Sequence, residues 1–263
     1  MSTEIKQVKE QVAVANRILS ELGLATGVLA SLGHVSMRVP GQPDLFVVKG
    51  RGYDVDALAL VKPEQMIVVD TDGNMVDGPR GTSQCYEVKM HSCLLRERPE
   101  VQAVCHVHPR FTVLMGLLEV QLQAMCNEGH QLVRDPLPVY PHSKLILSDE
   151  DGMGVVKVMG NRAAVLLRGH GAATVGKNME EAVMNMLQLE EQARMNYYAF
   201  CALGRDYKGI PPEDMDEFSV GFKAMGQMPH LKEPLARGAA PGAGGRPGGV
   251  WAYYAQRVSV DLG

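Results

Sequence analysis

Three histidines and a glutamate carry the chemistry that this sequence can offer. His106 and His108 flank Val107 in the stretch VQAVCHVH, residues 101–108. That stretch reads as a strand, on which side chains at i and i+2 leave from the same face. Two imidazoles placed that way can share one metal ion at about 2.0–2.1 Å each. The spacing alone is a weak signal, since a pair of surface or hydrogen-bonded histidines looks the same. His170 strengthens it. It lies in Arg168-Gly169-His170-Gly171, where a buried strand ends and the glycines let the backbone turn tightly. Strand ends in layered α/β proteins are where sites gather. Three imidazoles with an open position are the usual set of a catalytic rather than a structural metal. Glu87 and His91 are spaced i and i+4, on one face of a helix predicted over residues 85–97. The Glu87 carboxylate could be a fourth ligand, a general base, or both in turn. A helix-surface glutamate beside a histidine is the plainer alternative.

The elements that must hold these groups follow from hydrophobic period and turn signals. Residues 4–22 have apolar positions at helical spacing, and Gly23 is a natural stop. Residues 35–39 and 44–49 read as a hairpin, and residues 66–70 with the following NMV as another. Residues 110–120 read as helix, 163–169 as a buried strand and 179–203 as a long helix whose Met and Leu positions pack in the core or at a subunit contact. Beyond it, residues 207–249 are rich in Pro, Gly and charge, and GAAPGAGGRPGG at 238–249 has the composition of a flexible linker. The aromatic tail, with Trp251, Tyr253 and Tyr254, either packs on its own domain or docks on a neighbouring subunit. Its tyrosines could also fold back over the active site.

Composition narrows the class. The chain has 263 residues, 46% apolar and 21% charged, an ordinary globular balance that excludes disorder, collagen and coiled coil. A net charge of −4 and 5% aromatics argue against nucleic acid as a partner. The apolar stretches fall short of the roughly 20 residues of a membrane span, and the charged, amphipathic first 22 residues do not read as a signal peptide. Five cysteines without CxxC spacing read as reduced thiols, which points to the cytoplasm. Cys105 alternates with the histidines of its strand and reads as core.

The order Glu87, His91, His106-Val107-His108 and, later, Gly169-His170-Gly171 resembles the class II aldolase and adducin family over roughly residues 5–205. The resemblance implies a three-layer α/β/α sandwich around a mostly antiparallel sheet, spanning residues 1–206 as the catalytic domain with 207–263 as an extension. It implies a homotetramer with active sites at subunit interfaces. It also implies His106, His108 and His170 as ligands of one divalent metal per chain, with Glu87 binding the metal or acting as acid and base. Zinc comes first, with manganese, cobalt or iron as alternatives.

The segments that bind phosphate in the sugar-phosphate aldolases are rewritten here as Gly33-His34-Val35-Ser36, Lys49-Gly50-Arg51-Gly52 and Gly81-Thr82-Ser83-Gln84-Cys85-Tyr86. Arg suits a planar carboxylate through two parallel hydrogen bonds. His34, Ser36, Lys49 and Arg51 are therefore expected to bind a small carboxylated substrate, although a solvated turn is the plainer reading of the Lys-Gly-Arg segment. GHVS, KGRG and LLRGHG look like the decarboxylase branch, which acts on hydroxylated aromatic carboxylates or related oxo acids. The aldolases place a proton-donating Tyr near position 127; here Glu128 and His130 are the candidates, His130 being the more natural near neutrality. The expected reaction is decarboxylation, with the metal as Lewis acid toward a developing enolate. The alternatives are a retro-aldolase on an unphosphorylated hydroxy-oxo acid, an iron-dependent oxygenase and a non-catalytic interaction module.

Overall fold

The computed structural model describes residues 2–25, 32–238 and 249–259. Helix α1 (Thr3–Glu21) begins where the Ser2 hydroxyl accepts the Ile5 N–H at 3.3 Å, and it buries Val8, Val12, Ala15 and Leu19 along one stripe. Hairpins β1–β2 (His34–Val39, Gln42–Lys49) and β3–β4 (Met66–Asp70, Met75–Asp77) follow, then α2 (Val88–Glu97), β5 (Ala103–Val107) and α3 (Arg110–Leu118). Next come α4 (His130–Val133), β6 (Val139–Tyr140), α5 (Asp149–Met159), β7 (Ala164–Leu167), β8 (Gly171–Gly176) and the long α6 (Met179–Leu203). Helices α7 (Pro212–Ala224), α8 (Pro229–Gly238) and α9 (Val250–Ser259) complete the described residues.

The strands form one sheet in the order β4-β3-β2-β1-β5-β8-β7-β6. Every pairing is antiparallel except β6 with β7. Side chains alternate across it with period two, and each face has its own core. Val35, Val47, Val68, Cys105, Val107 and Leu166 pack with α1 and α6. Phe46, Val48, Ile67, Val69, Val104 and Val165 pack with α2 and α5. Both faces are therefore covered, the three-layer α/β/α arrangement expected from the family resemblance.

The C-terminal segment gains structure that composition left open. Residues 207–238 contain helices α7 and α8, the first with a proline at its opening position, which needs no intrahelical N–H partner. The proposed linker falls largely outside the described residues. The aromatic tail is the helix α9, which lies on α1: Trp251 and Tyr254 pack on the core, and Arg257 pairs with Glu21 at 2.6 Å. That face of the sheet is opposite the one that carries His34 and His106, so the tail of this chain does not cover them.

Candidate metal centre

The period-two alternation of β5 turns Cys105 into the α1/α6 core and His106 toward α2. His108 lies just past the end of the strand. The β7–β8 turn brings His170 alongside, its N–H on the Leu167 carbonyl at 3.0 Å. Close approach here needs glycine. A Cβ on Gly171 would stand 2.4 Å from the Val107 carbonyl oxygen and 2.8 Å from the His108 ring. Gly33, at φ +101°, would press the same carbon into Val107 Cγ1 at 2.6 Å.

Glu87 does not sit on the face of α2 as expected. It occupies the position just before the helix, with φ −98° and ψ 30°, and its side chain turns to the histidines. Its Oε1 accepts the Ile146 N–H at 3.0 Å, and its Oε2 lies 3.2 Å from His106 Nε2 and 3.3 Å from His170 Nε2. His106 Nδ1 donates to the Ala172 carbonyl at 2.9 Å, so its Nε2 turns a lone pair to the centre. His108 Nε2 is 3.1 Å away. One donor atom each from Glu87, His106, His108 and His170 fit within 4.8 Å of one another.

Electrostatics hold the Glu87 carboxylate and the His108 imidazole in their unprotonated forms. Burial raises the Glu87 carboxyl, but His106 and His170 beside it overcome that and hold it well below the usual carboxylate range. Burial, with His106 and His170 adding to it, pushes the His108 imidazole down to about 3. Both ring nitrogens of His170 are buried and, among the described residues, lack an aligned hydrogen-bond partner; the Glu87 oxygen lies near but out of line. Orphaned buried nitrogens are costly, and a cation would satisfy the one turned to the centre. An anionic carboxylate and imidazole lone pairs fit a divalent metal of the zinc, manganese, cobalt or iron type.

The other predicted residues divide. His34 stands opposite His106 in the β1–β5 register, their rings 5.3 Å apart. His91 leaves Glu87 and turns to β1 instead: its Nε2 is 2.7 Å from His34 Nδ1 and its Nδ1 is 2.6 Å from Ser36 Oγ. Ser36 is fully buried and offers its hydroxyl to no ligand directly. Lys49 is likewise buried and paired with Asp56, which also lies 3.9 Å from Arg51. Asp56 is thus shared between the buried Lys49 and the half-buried Arg51. Arg51 stacks over the Tyr86 ring at 4.4 Å, next to Glu87 in sequence. Tyr86 was not foreseen, and an aromatic residue directly before the key glutamate was the available signal.

Proton-donor candidates lie apart from the cluster. His130 Nδ1 meets the Asn127 carbonyl at 2.7 Å, its Nε2 meets Gln131 at 2.7 Å and Ser219 at 3.2 Å, and its ring packs edge-on against Phe218. It ties α4 to α7. Glu128 is exposed, while its carbonyl accepts from Gln192 of α6 at 2.6 Å. Helix α6 has a further role that sequence did not reveal. Glu190 accepts the Phe111 and Thr112 N–H groups at 3.0 and 2.8 Å, capping α3 directly after His108.

The model of the Class II Aldolase and Adducin N-terminal domain matches residues 10–197. A 3,4-dihydroxyphthalate decarboxylase of Arthrobacter keyseri is 33% identical over 216 residues, 80% of this chain and 85% of that protein. An L-fuculose phosphate aldolase of Methanococcus maripaludis is 26% identical over 172 residues, 65% of this chain and 87% of that protein. The crystal structure of an aldolase II superfamily protein from Pseudomonas syringae superposes with a TM-score of 0.77 at 21% identity, covering 98% of this chain and 94% of that one.

Proposed function

The chain belongs to the class II aldolase and adducin family and is a lyase of it, and on that premise we propose that it decarboxylates a hydroxylated aromatic carboxylate or a related oxo acid. The observation that carries this reading is the convergence of Glu87, His106, His108 and His170, the His170 nitrogens lacking an aligned hydrogen-bond partner among the described residues. These four would hold one divalent metal. Bound there, the metal supplies a Lewis acid that draws off the electron pair left when a carbon–carbon bond breaks.

The chain's own residues supply the rest. His34, beside His106, and Arg51, which shares Asp56 with Lys49, bind the carboxylate oxygens of the substrate. Tyr86, 64% exposed and already stacked on Arg51, offers a face to an aromatic ring. As the bond to the carboxyl carbon breaks, CO₂ leaves and the remaining carbon takes a proton. Glu87 is held anionic and suits a ligand better than a proton donor in the ground state. His130 has both nitrogens engaged within its own chain, which leaves the exposed Glu128, acting across a subunit contact, as the remaining candidate for the proton donor. That assignment requires an oligomer with interfacial sites.

Elemental analysis of the purified protein comes first, followed by assays for CO₂ and for aldehyde release. About one zinc, manganese or cobalt ion per chain, with CO₂ released from 3,4-dihydroxyphthalate or a related acid, is the expected outcome. Release of an aldehyde from a hydroxy-oxo acid in place of CO₂ would replace decarboxylation with aldol cleavage at the same centre. A chain that neither carries nor takes up metal would end the reading. Glu87→Gln should weaken metal binding and, with metal saturating, still lower kcat by roughly a hundredfold or more. Full activity in that variant would remove Glu87 from the site.

A further inference from the structure

Two buried groups that the proposed reaction does not use directly, Ser36 and His91, form a string behind His34. Ser36 Oγ lies 2.6 Å from His91 Nδ1, and His91 Nε2 lies 2.7 Å from His34 Nδ1. The string is built from two elements. His34 and Ser36 are two residues apart on β1 and so leave one face of the sheet, and α2 lowers His91 onto that face between them. Exposure falls along it: His34 keeps 7% of its surface, while His91 and Ser36 keep none. The accessible end is therefore His34, whose ring lies against His106 of the metal centre.

The direction of the hydrogen bonds follows from what each group can do. A serine hydroxyl carries one proton to give. If Ser36 donates to His91 Nδ1, His91 holds its proton on Nε2 and donates to His34 Nδ1. His34 then carries its own proton on Nε2, at the open end. The reverse order would have His34 donate to His91 and His91 donate to Ser36. It would leave the Ser36 O–H with no acceptor, because His91 is the side-chain partner the structure gives that hydroxyl. A buried O–H without an acceptor shifts the balance against that order by roughly tenfold to a hundredfold.

We propose that His91, itself oriented by Ser36, is a positioning residue that fixes His34 as its Nε2–H tautomer and so presents one hydrogen-bond donor to an anionic oxygen of the substrate beside the metal centre. The tautomer stands on the hydrogen-bond string alone; its use in turnover rests on the lyase reading above. The consequence is selectivity. A site ending in a fixed N–H accepts a carboxylate or phenolate oxygen there and disfavours a group that must itself donate.

Solid-state ¹⁵N NMR of the zinc-loaded, full-length protein labelled at histidine reads the tautomer, and a difference spectrum against His34→Asn identifies the His34 signals. The expected result is a protonated Nε2 and a bare Nδ1 on His34. A protonated Nδ1 in the wild type would overturn the proposal without any variant being needed. His91→Phe keeps the bulk but removes the donor, so His34 should show both tautomers. With metal content unchanged, kcat/KM for a carboxylate substrate should fall roughly tenfold to a hundredfold, mainly through KM. His91→Gln, whose amide Nε2 can still donate to His34, should restore most of it. Ser36→Ala should give a smaller loss of the same kind, and it decides the matter if His91→Phe does not fold. An unchanged His34 tautomer in the folded variants would sink the proposal. If no tested acid is turned over but the tautomer behaves as described, the proposal stands and the substrate reading alone is at fault.

Discussion

Cys105 and His106 are neighbours on one strand, and neither keeps any exposed surface, yet their surroundings are opposites. Cys105 faces the α1/α6 side among valines, alanines and methionines. Its thiol is pushed well above the ordinary range by burial. His106 faces the α2 side, where Glu87, His34, His108 and His170 stand within ring-contact or hydrogen-bond distance. Burial is thus the same and its consequence is not. On the first face the polar atom is nearly inert, and packing alone explains it. On the second face burial gathers charge and lone pairs that satisfy one another only in part. The His170 nitrogens, without an aligned hydrogen-bond partner among the described residues, are what that incomplete pairing leaves. A core that carries such a deficit points to a ligand; a core that carries none points to stability.

Substituting one neighbour at a time tests that contrast most severely. His106→Ala should abolish stoichiometric metal and lower turnover by roughly a thousandfold or more, while the protein remains folded by circular dichroism. Retained metal with near-normal turnover would erase the distinction between the faces.

Acid should act next, chiefly through the buried histidines of the α2 side. Burial pushes His91 down to about 3, and His34 is held well below its ordinary value by burial and by His91 and His106. Unfolded, each would bind a proton near pH 6.5; folded, each resists it until far lower pH. The unfolded state therefore holds more protons below about pH 6.5, and stability falls as pH drops through that window. Glu87, held low, adds to the loss below about pH 4.5, with the same sign. Denaturant midpoints of the metal-free protein should fall between pH 6.5 and 4, His91 alone contributing at most about 1.4 kcal/mol per pH unit. In His91→Phe the slope should be shallower by about one proton, and an equal slope would disprove the assignment.

Cys105→Ala is the mildest of the three. It should cost about 1 kcal/mol of stability in chemical denaturation, the loss of a small buried group, and leave metal content and kcat/KM unchanged. A metal deficit in that variant would mean that the two faces are coupled through the strand.

Much of the α2-side chemistry was legible from residue types. The HVH triplet on an apolar strand sends both imidazoles one way and the cysteine the other. Gly171 is needed where two backbones meet beside His108, and a glycine there is visible in any sequence. Other parts were not legible. Strand β8 is GAATVG, mostly small residues with only Thr174 and Val175 β-branched; it is a strand because β5 and β7 on either side satisfy its backbone, while the helix layers bury both its faces. The i, i+4 spacing placed Glu87 and His91 together on α2. The helix begins one residue after Glu87, so the two side chains leave from different backbone geometries and end on different partners. Spacing carries information only inside a regular element, and Glu87 stands at the boundary of one.

By itself, then, the sequence determined the strongly periodic elements (α1, the two hairpins, α2, β5, α3, β7 and α6) and which side chains share a strand face, because period and turn chemistry act over a few residues. It also carried the family resemblance that grouped Glu87, His106, His108 and His170. The tertiary structure decided what those groups meet. His91 belongs to His34 and Ser36, which lie 57 and 55 residues away along the chain. His130 is committed to α7, 89 residues away. The aromatic helix lies on α1, at the far end of the chain from it. Hydrogen-bond partnership and burial depend on distances between elements, and those are settled only when the two cores close on the sheet.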